Sequence, residues 1–367
     1  MSEISDNSAE KQFNQIDFEQ ITTVVSSEFQ VEEALIEHNI PTYYLRQQQE
    51  TKQAFLKLLE KLETSNNIAI MRKQDGRIVL RVLPKPPTKQ SNILINWILF
   101  FATIITTFFT GYLLSGDRLD PIVGGASFTI AIMAVIGVHE MGHKLTANRN
   151  KIDATPPYFI PGPPPIGNFL GIGTFGAVIM QKSLPPNKDS LFDIGASGPI
   201  FGFILAIIVS AIGLTFSQAQ PPTGTETFLP APLFFDLYLI FVMKPPPDFA
   251  VFLHPVAFAG WVGMIVTMLN LLPAAMLDGG HVSRSIFGEK TRLVLTFLSI
   301  SMLIVAGFWP MAILVLFLAM YKHPGPLDDV SGLSTSRKLL AVVLIAIFAL
   351  SSFIHYFVIL LLSLMGL

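Results

Sequence analysis

Ala134-Val135-Ile136-Gly137-Val138-His139-Glu140-Met141-Gly142-His143 closes a long apolar run that begins near Ile122. An almost uncharged helix of spanning length therefore runs directly into two histidines and a glutamate. On a helix, residues i and i+4 stand one turn apart on one face, so His139 and His143 are presented to a single point. Two imidazoles so placed can reach one ion at about 2.0–2.1 Å each. Glu140 lies about 100° further round the helix. From there it can reach a metal-bound water without ligating the metal. The rival is a hydrogen-bonded polar cluster. The apolar setting favours the metal, because ionisable groups at membrane depth are expensive and usually functional.

Composition sets the surroundings of this motif. Of 367 residues, 51% are apolar and 14% charged, against roughly 25% charged in soluble domains. That is the balance of a membrane protein living in a lipid bilayer. The net charge of −2 leaves no basic footprint, so nucleic acid is not an expected partner. Cysteine is absent. Disulfides and thiolate sites are excluded, and any metal must sit on histidines and carboxylates. The polar, acidic start SEISDNSAEKQ gives no sign of a signal peptide ahead of the first apolar run.

Working outward, spans are expected at about 93–114, 122–146, 193–214 and 255–276, with a last one at 339–364. The apolar run 293–321 is broken at Gly307-Phe308-Trp309-Pro310, which predicts two short spans or a helical hairpin. Residues 228–243 contain Pro230, Pro232 and Asp236 and read as an interfacial or re-entrant piece. The expected fold is an all-α polytopic membrane protein of about six or seven transmembrane helices. A small N-terminal soluble α+β domain precedes it, and a membrane-associated β-hairpin or loop lies near the metal motif. Residues 1–16 read as a disordered tail and 17–90 as the cytoplasmic α+β domain with its linker. Residues 91–367 form the membrane domain, with a core at about 120–285. Within 17–90, residues 51–62 carry a helical period. Two alternating runs joined at Gln74-Asp75-Gly76 signal a hairpin. Lys and Arg concentrate in the loops on the side of the N-terminal domain, which sets that side as cytoplasmic, with the metal motif opening there.

A catalytic zinc site takes three protein ligands and one open position. Asn270-Leu271-Leu272-Pro273-Ala274-Ala275-Met276-Leu277-Asp278-Gly279-Gly280-His281 ends the fourth span at the same depth as the second. Asp278 is the expected third ligand, against the plainer role of a helix-ending Asp-Gly turn. Gly279 and Gly280 permit a sharp turn beside the metal. Pro273 breaks the helix and exposes backbone groups near the site. Asn270 either bridges helices or holds a substrate carbonyl and steadies an oxyanion. His281 is either a neighbour of the site or a surface residue. One zinc ion per chain is expected, on His139, His143 and Asp278.

His139-Glu140-Met141-Gly142-His143 with Asn270-x-x-Pro273-x-x-x-Leu277-Asp278-Gly279 resembles the site-2 protease family of intramembrane zinc metalloproteases. Gly195-Ala196-Ser197-Gly198-Pro199 is similar to that family's middle core helix. Residues 322–329 (KHPGPLDD) are similar to its cyanobacterial and plastid branch. The resemblance covers roughly 120–285. It implies peptide hydrolysis within the bilayer, Glu140 as the general base, and substrates that are themselves transmembrane helices. The chain departs from some relatives in lacking a PDZ-like insert and a CBS-like pair, so docking and regulation through such modules are not implied.

A substrate helix hides its peptide bonds in its own hydrogen bonds and must unwind before attack. Residues 156–181, rich in Pro and Gly, suit that need. Gly173–Ile179 is expected to form a strand whose edge pairs with unwound substrate, through Gly173, Thr174, Phe175 and Gly176, with Asn270 and Pro273 nearby. The alternative is a loop that only covers the site. A transporter would show inverted repeats, and none is visible. A desaturase-type di-iron protein needs many histidines. The chain has seven, and His38, His254, His323 and His355 are scattered. An inactive metal-binding scaffold would not need the intact Glu140. Oligomeric state is not legible.

Overall fold

The computed structural model describes residues 15–47, 49–87, 91–167, 171–222 and 229–353. The chain divides into two compact units. The first comprises Met1–Lys89 with Leu184–Ser190 and Gly325–Leu333, and the second the remainder.

The first unit contains α1 (Gln15–Glu28), β1 (Val31–Glu37), β2 (Ile40–Leu45), α2 (Lys52–Glu63), β3 (Asn67–Gln74) and β4 (Arg77–Pro84). Its sheet has the order β1-β2-β4-β3 with antiparallel neighbours. The expected 51–62 helix and the 67–84 hairpin are both present. Asp75 and Gly76 take φ of +48° and +82°, the double left-handed geometry of a tight hairpin turn. A second such turn at His38 and Asn39 joins β1 to β2. It lacks the glycine that signals hairpins in sequence, and so was not foreseen. Phe55, Leu58 and Leu62 form the buried stripe of α2. They pack in one core with Tyr43, Met71 and Leu80 of the sheet and Val25 of α1. Distant chain completes this unit. Met71 donates to Leu327 O at 2.9 Å, Asp329 donates to Met71 O at 3.2 Å, and Leu327 donates to Pro185 O at 2.8 Å. The outer edge of β3 is thereby partly paired, which protects an otherwise open strand. The expected disordered tail falls mostly on residues 1–14, outside the described residues.

The second unit is mainly helical. It holds α3 (Ile93–Leu114), α4 (Pro121–Arg149), β5 (Tyr158–Pro161), β6 (Thr174–Val178) and α5 (Lys188–Thr215) from Leu191 onward. After these come β7 (Gln218–Gln220), α6 (Leu233–Tyr238), one π-helical turn (Leu239–Met243) and β8 (Ala250–Phe252). The last helices are α7 (Pro255–Asn270), α8 (Asp278–Phe287), α9 (Glu289–Val305), α10 (Trp309–Ala319) and α11 (Thr335–Ser351). Among the described residues, α3, α4 and α5 are long and apolar enough to cross a membrane, and α7, α10 and the segment Leu233–Met243 are shorter apolar helices.

The expected 255–276 span is therefore shorter than foreseen. Helix α7 stops at Asn270 because Pro273 has no N–H to continue the ladder and disfavours helical backbone just before it. The 293–321 run is the expected helical hairpin, turning at Gly307 with φ +79°. Of the last expected span, α11 is described to Ser351; residues 354–367, with His355, lie outside the described residues. Helix α4 starts at a strong cap: Asp120 Oδ1 accepts from Ile122 N at 2.9 Å and Val123 N at 3.1 Å, and Pro121 occupies the first turn.

Strands β5 and β6 form the expected hairpin-like ribbon, with Tyr158 opposite Val178 and Phe159 opposite Ala177. Gly173, at φ +75°, anchors it to α3. Thr106 Oγ1 donates to Gly173 O at 2.6 Å, and a Cβ at Gly173 would lie 2.5 Å from Thr110 Oγ1.

Leu58 is fully buried in the first unit. Leu58→Ala is expected to cost about 2–5 kcal/mol. The check is hydrogen exchange of the β3–β4 amides, which should accelerate; unchanged protection would contradict the assignment of this core.

Candidate metal centre

His139 and His143 leave α4 on one face, as the i, i+4 spacing requires. Their Nε2 atoms are 3.1 Å apart. Asp278 Oδ2 lies 3.2 Å from His139 Nε2 and 3.3 Å from His143 Nε2. Among the described residues these form the one group of three His, Cys, Asp or Glu side chains close enough to hold a metal. Ligands at 2.0–2.1 Å around a tetrahedral ion are separated by about 3.3 Å, so the observed triangle fits zinc. The donor set of two imidazoles and a carboxylate fits as well. A further contact fixes the chemistry of one candidate ligand. His143 Nδ1 donates to Ile194 O at 2.8 Å, which leaves the Nε2 lone pair directed at the triangle.

Asp278 arrives by a different route from the one expected. It does not end the fourth span. It is the first residue of α8, after a non-helical link over residues 271–277. A carboxylate at a helix start is favoured by the free N–H groups and the dipole.

The close approach of the ligands is permitted by one face of α5. Gly195, Gly198 and Gly202 recur at helical spacing. A Cβ at Gly198 would sit 2.0 Å from His143 Nε2, one at Gly202 2.9 Å from His139 Nδ1, and one at Gly195 2.6 Å from Asp278 O. The glycines thus leave room for the candidate ligands His139 and His143 and for the start of α8, a role that the resemblance of Gly195–Pro199 alone did not reveal.

A cavity of about 620 Å³ opens on the triangle. Its polar wall includes His139, Glu140, His143, Asn270, Asp278 and His281, and Met311, Leu314 and Leu318 of α10 give an apolar wall. Phe175 and Gly176 of β6 line it too. Gly173, Thr174 and Pro273 do not. Gly173 is locked against α3. Thr174 is 1% exposed and donates through Oγ1 to Ile160 O at 2.8 Å. Pro273 is half-buried within the link.

Two residues gain meaning only from the structure. His323 is not scattered but bonded to His281, with His281 Nδ1 2.8 Å from His323 Nε2. Burial holds both imidazoles below the ordinary histidine range. They are 42 residues apart, and no periodicity links them. Arg292, which in sequence is one more loop cation, is wholly buried.

A helix of spanning length that carries H-E-x-x-H near its C-terminal end, joined by an aspartate from a second helix within an apolar body, has the architecture of a membrane metallopeptidase. Residues 127–314 match peptidase family M50, and the chain belongs to that family. Curated relatives that it matches include chloroplastic plant proteins. The probable zinc metalloprotease EGY1 of Arabidopsis thaliana is 29% identical over 237 residues, covering 61% of this chain and 42% of the relative. The probable zinc metalloprotease EGY2 of the same plant is 30% identical over 219 residues, covering 58% and 38%. The EGY1 protein of Oryza sativa subsp. japonica is 30% identical over 262 residues, covering 66% and 44%. The chain thus spans about two fifths of the length of the curated relatives it matches. No solved structure matches it.

Gly198→Ala is expected to push the His143 ring out of the triangle and weaken zinc binding at least about tenfold. Metal content and chelator competition on the purified protein measure this; wild-type affinity would refute the assigned role of the α5 glycines.

Proposed function

We propose that the chain is an intramembrane zinc metalloendopeptidase that hydrolyses peptide bonds within or near the transmembrane helices of other proteins. The observation that carries this is the His139–His143–Asp278 triangle on a cavity that also holds Glu140. Those three residues would hold one zinc ion. Zinc bound there supplies Lewis acidity and brings a coordinated water toward a pKa of about 7.

The chain's own residues supply the rest. Glu140, 7% exposed and lining the cavity, takes the proton of the attacking water and delivers it to the departing amine. Asn270 directs its amide at the substrate carbonyl and the developing oxyanion. The unwound substrate pairs with the edge of β6 at Phe175 and Gly176, where Gly176 has open space at φ +96°. The Lys and Arg bias supports a cavity opening on the cytoplasmic or stromal side, shared with the N-terminal domain. Residues 17–84, without a catalytic constellation of their own, recruit or regulate.

Purified protein with a transmembrane substrate tests the chemistry. Chelator should stop cleavage and added zinc restore it. Glu140→Gln should lose about 10²–10⁴ in rate with zinc retained, and Asp278→Ala should lose the metal. Cleavage that ignores chelator would sink the proposal. Gly176→Pro, which fixes φ near −65° where the strand needs a positive value, should block cleavage while zinc stays bound; unaltered turnover would remove β6 from substrate binding.

A further inference from the structure

We infer that Arg292 is a positioning residue for the metal centre, acting through Ala275 on Asp278. The inference rests on the reading of His139, His143 and Asp278 as a metal site. Arg292 lies in the first turn of α9 and is 0% exposed. A buried guanidinium is tolerated only when its donors are matched. Here they are. Nε donates to Glu289 Oε2 at 2.9 Å, Nη2 to Glu289 Oε1 at 2.7 Å, and Nη1 to Ala275 O at 2.9 Å.

One turn along α9, Thr296 Oγ1 accepts from Ala275 N at 3.0 Å and donates to Arg292 O at 2.8 Å. Ala275 is thus gripped at both its carbonyl and its amide by α9. Its φ is +46°, a left-handed conformation that a residue with a Cβ adopts only at a cost. Such backbone persists where its surroundings over-determine it.

What the grip positions is the start of α8. Leu277 N donates to Ala274 O at 3.0 Å. A Cβ at Gly280 would lie 2.5 Å from both Ala274 O and Ala275 O, so the first turn of α8 rests directly on the gripped residues. Asp278 follows three residues after Ala275. Its Oδ2 must stay within 3.3 Å of two imidazole nitrogens, yet the link that carries it has no helix or strand of its own. The clamp supplies the rigidity that the link lacks.

The test uses the full chain in detergent micelles, with zinc affinity read by competition against a chromogenic chelator and thermal unfolding read alongside. Wild type should bind zinc and Asp278→Ala should not. Arg292→Lys keeps a cation but cannot serve Glu289 and Ala275 together, and Thr296→Val removes the acceptor for Ala275 N. Each should weaken zinc binding about tenfold to a hundredfold. Adding Ala275→Gly to either should recover most of that loss, because glycine holds a positive φ without a clamp. If Arg292→Lys does not fold, Thr296→Val with and without Ala275→Gly carries the same comparison. Clamp variants with wild-type affinity overturn the inference, even where their unfolding midpoint falls. So does a loss that Ala275→Gly leaves in place, since that marks a general structural role. A wild type that takes up no zinc overturns the metal reading and this inference with it.

Discussion

Three candidate ligand atoms from two helices meet within little more than 3 Å in a mostly apolar interior, a demand around which the second unit is arranged. Each ligand is polar and largely withdrawn from solvent, a situation that costs free energy unless partners are in place. The triangle supplies them among His139, His143 and Asp278, and Ile194 O secures the far side of one ring. Helices carrying ordinary side chains cannot approach this closely. Gly195, Gly198 and Gly202 on α5 remove the atoms that would stand in the ligands' place. Small residues serve helix packing in membranes generally; here the space they leave is filled by imidazole and by the start of α8.

The same demand explains the break between α7 and α8. Ending at Asn270 and restarting at Asp278 turns the chain, leaves Asn270 at the cavity wall, and places the carboxylate where helix N–H groups favour negative charge. Irregular backbone at membrane depth is tolerated where it is buried in protein or lines a cavity. The link does both: Ala274 and Ala275 are fully buried, whereas Met276 and Leu277 reach the cavity.

The first unit follows a different logic. Its core is that of a small α+β domain, with an amphipathic helix laid on an antiparallel sheet. Yet it is assembled from three separated stretches of chain. Leu327, 4% exposed, belongs to its core, and its backbone extends the β3 edge. Short segments of this kind carry no periodicity of their own. They acquire structure only from the edge that receives them.

Local chemistry was legible in the sequence because it depends on spacing along one helix or turn. His139 and His143 share a face by the 3.6-residue period, Asp75-Gly76 fixes a hairpin, and Gly307 with Pro310 breaks a long apolar run. The resemblance to site-2 proteases rested on such local patterns too, and family membership agrees with it. Tertiary structure decided whatever depends on distant partners. It set Asp278 at the head of α8 instead of the tail of a span, made ligand space of the α5 glycines, joined His281 to His323, and buried Arg292 against Ala275. It also separated Phe175 and Gly176, which face the cavity, from Gly173 and Thr174, which hold the ribbon in place. The physical reason is that a sequence pattern records which face of an element is apolar, while the atoms that meet a buried polar group come from wherever the folded chain can supply a donor or acceptor at hydrogen-bonding distance.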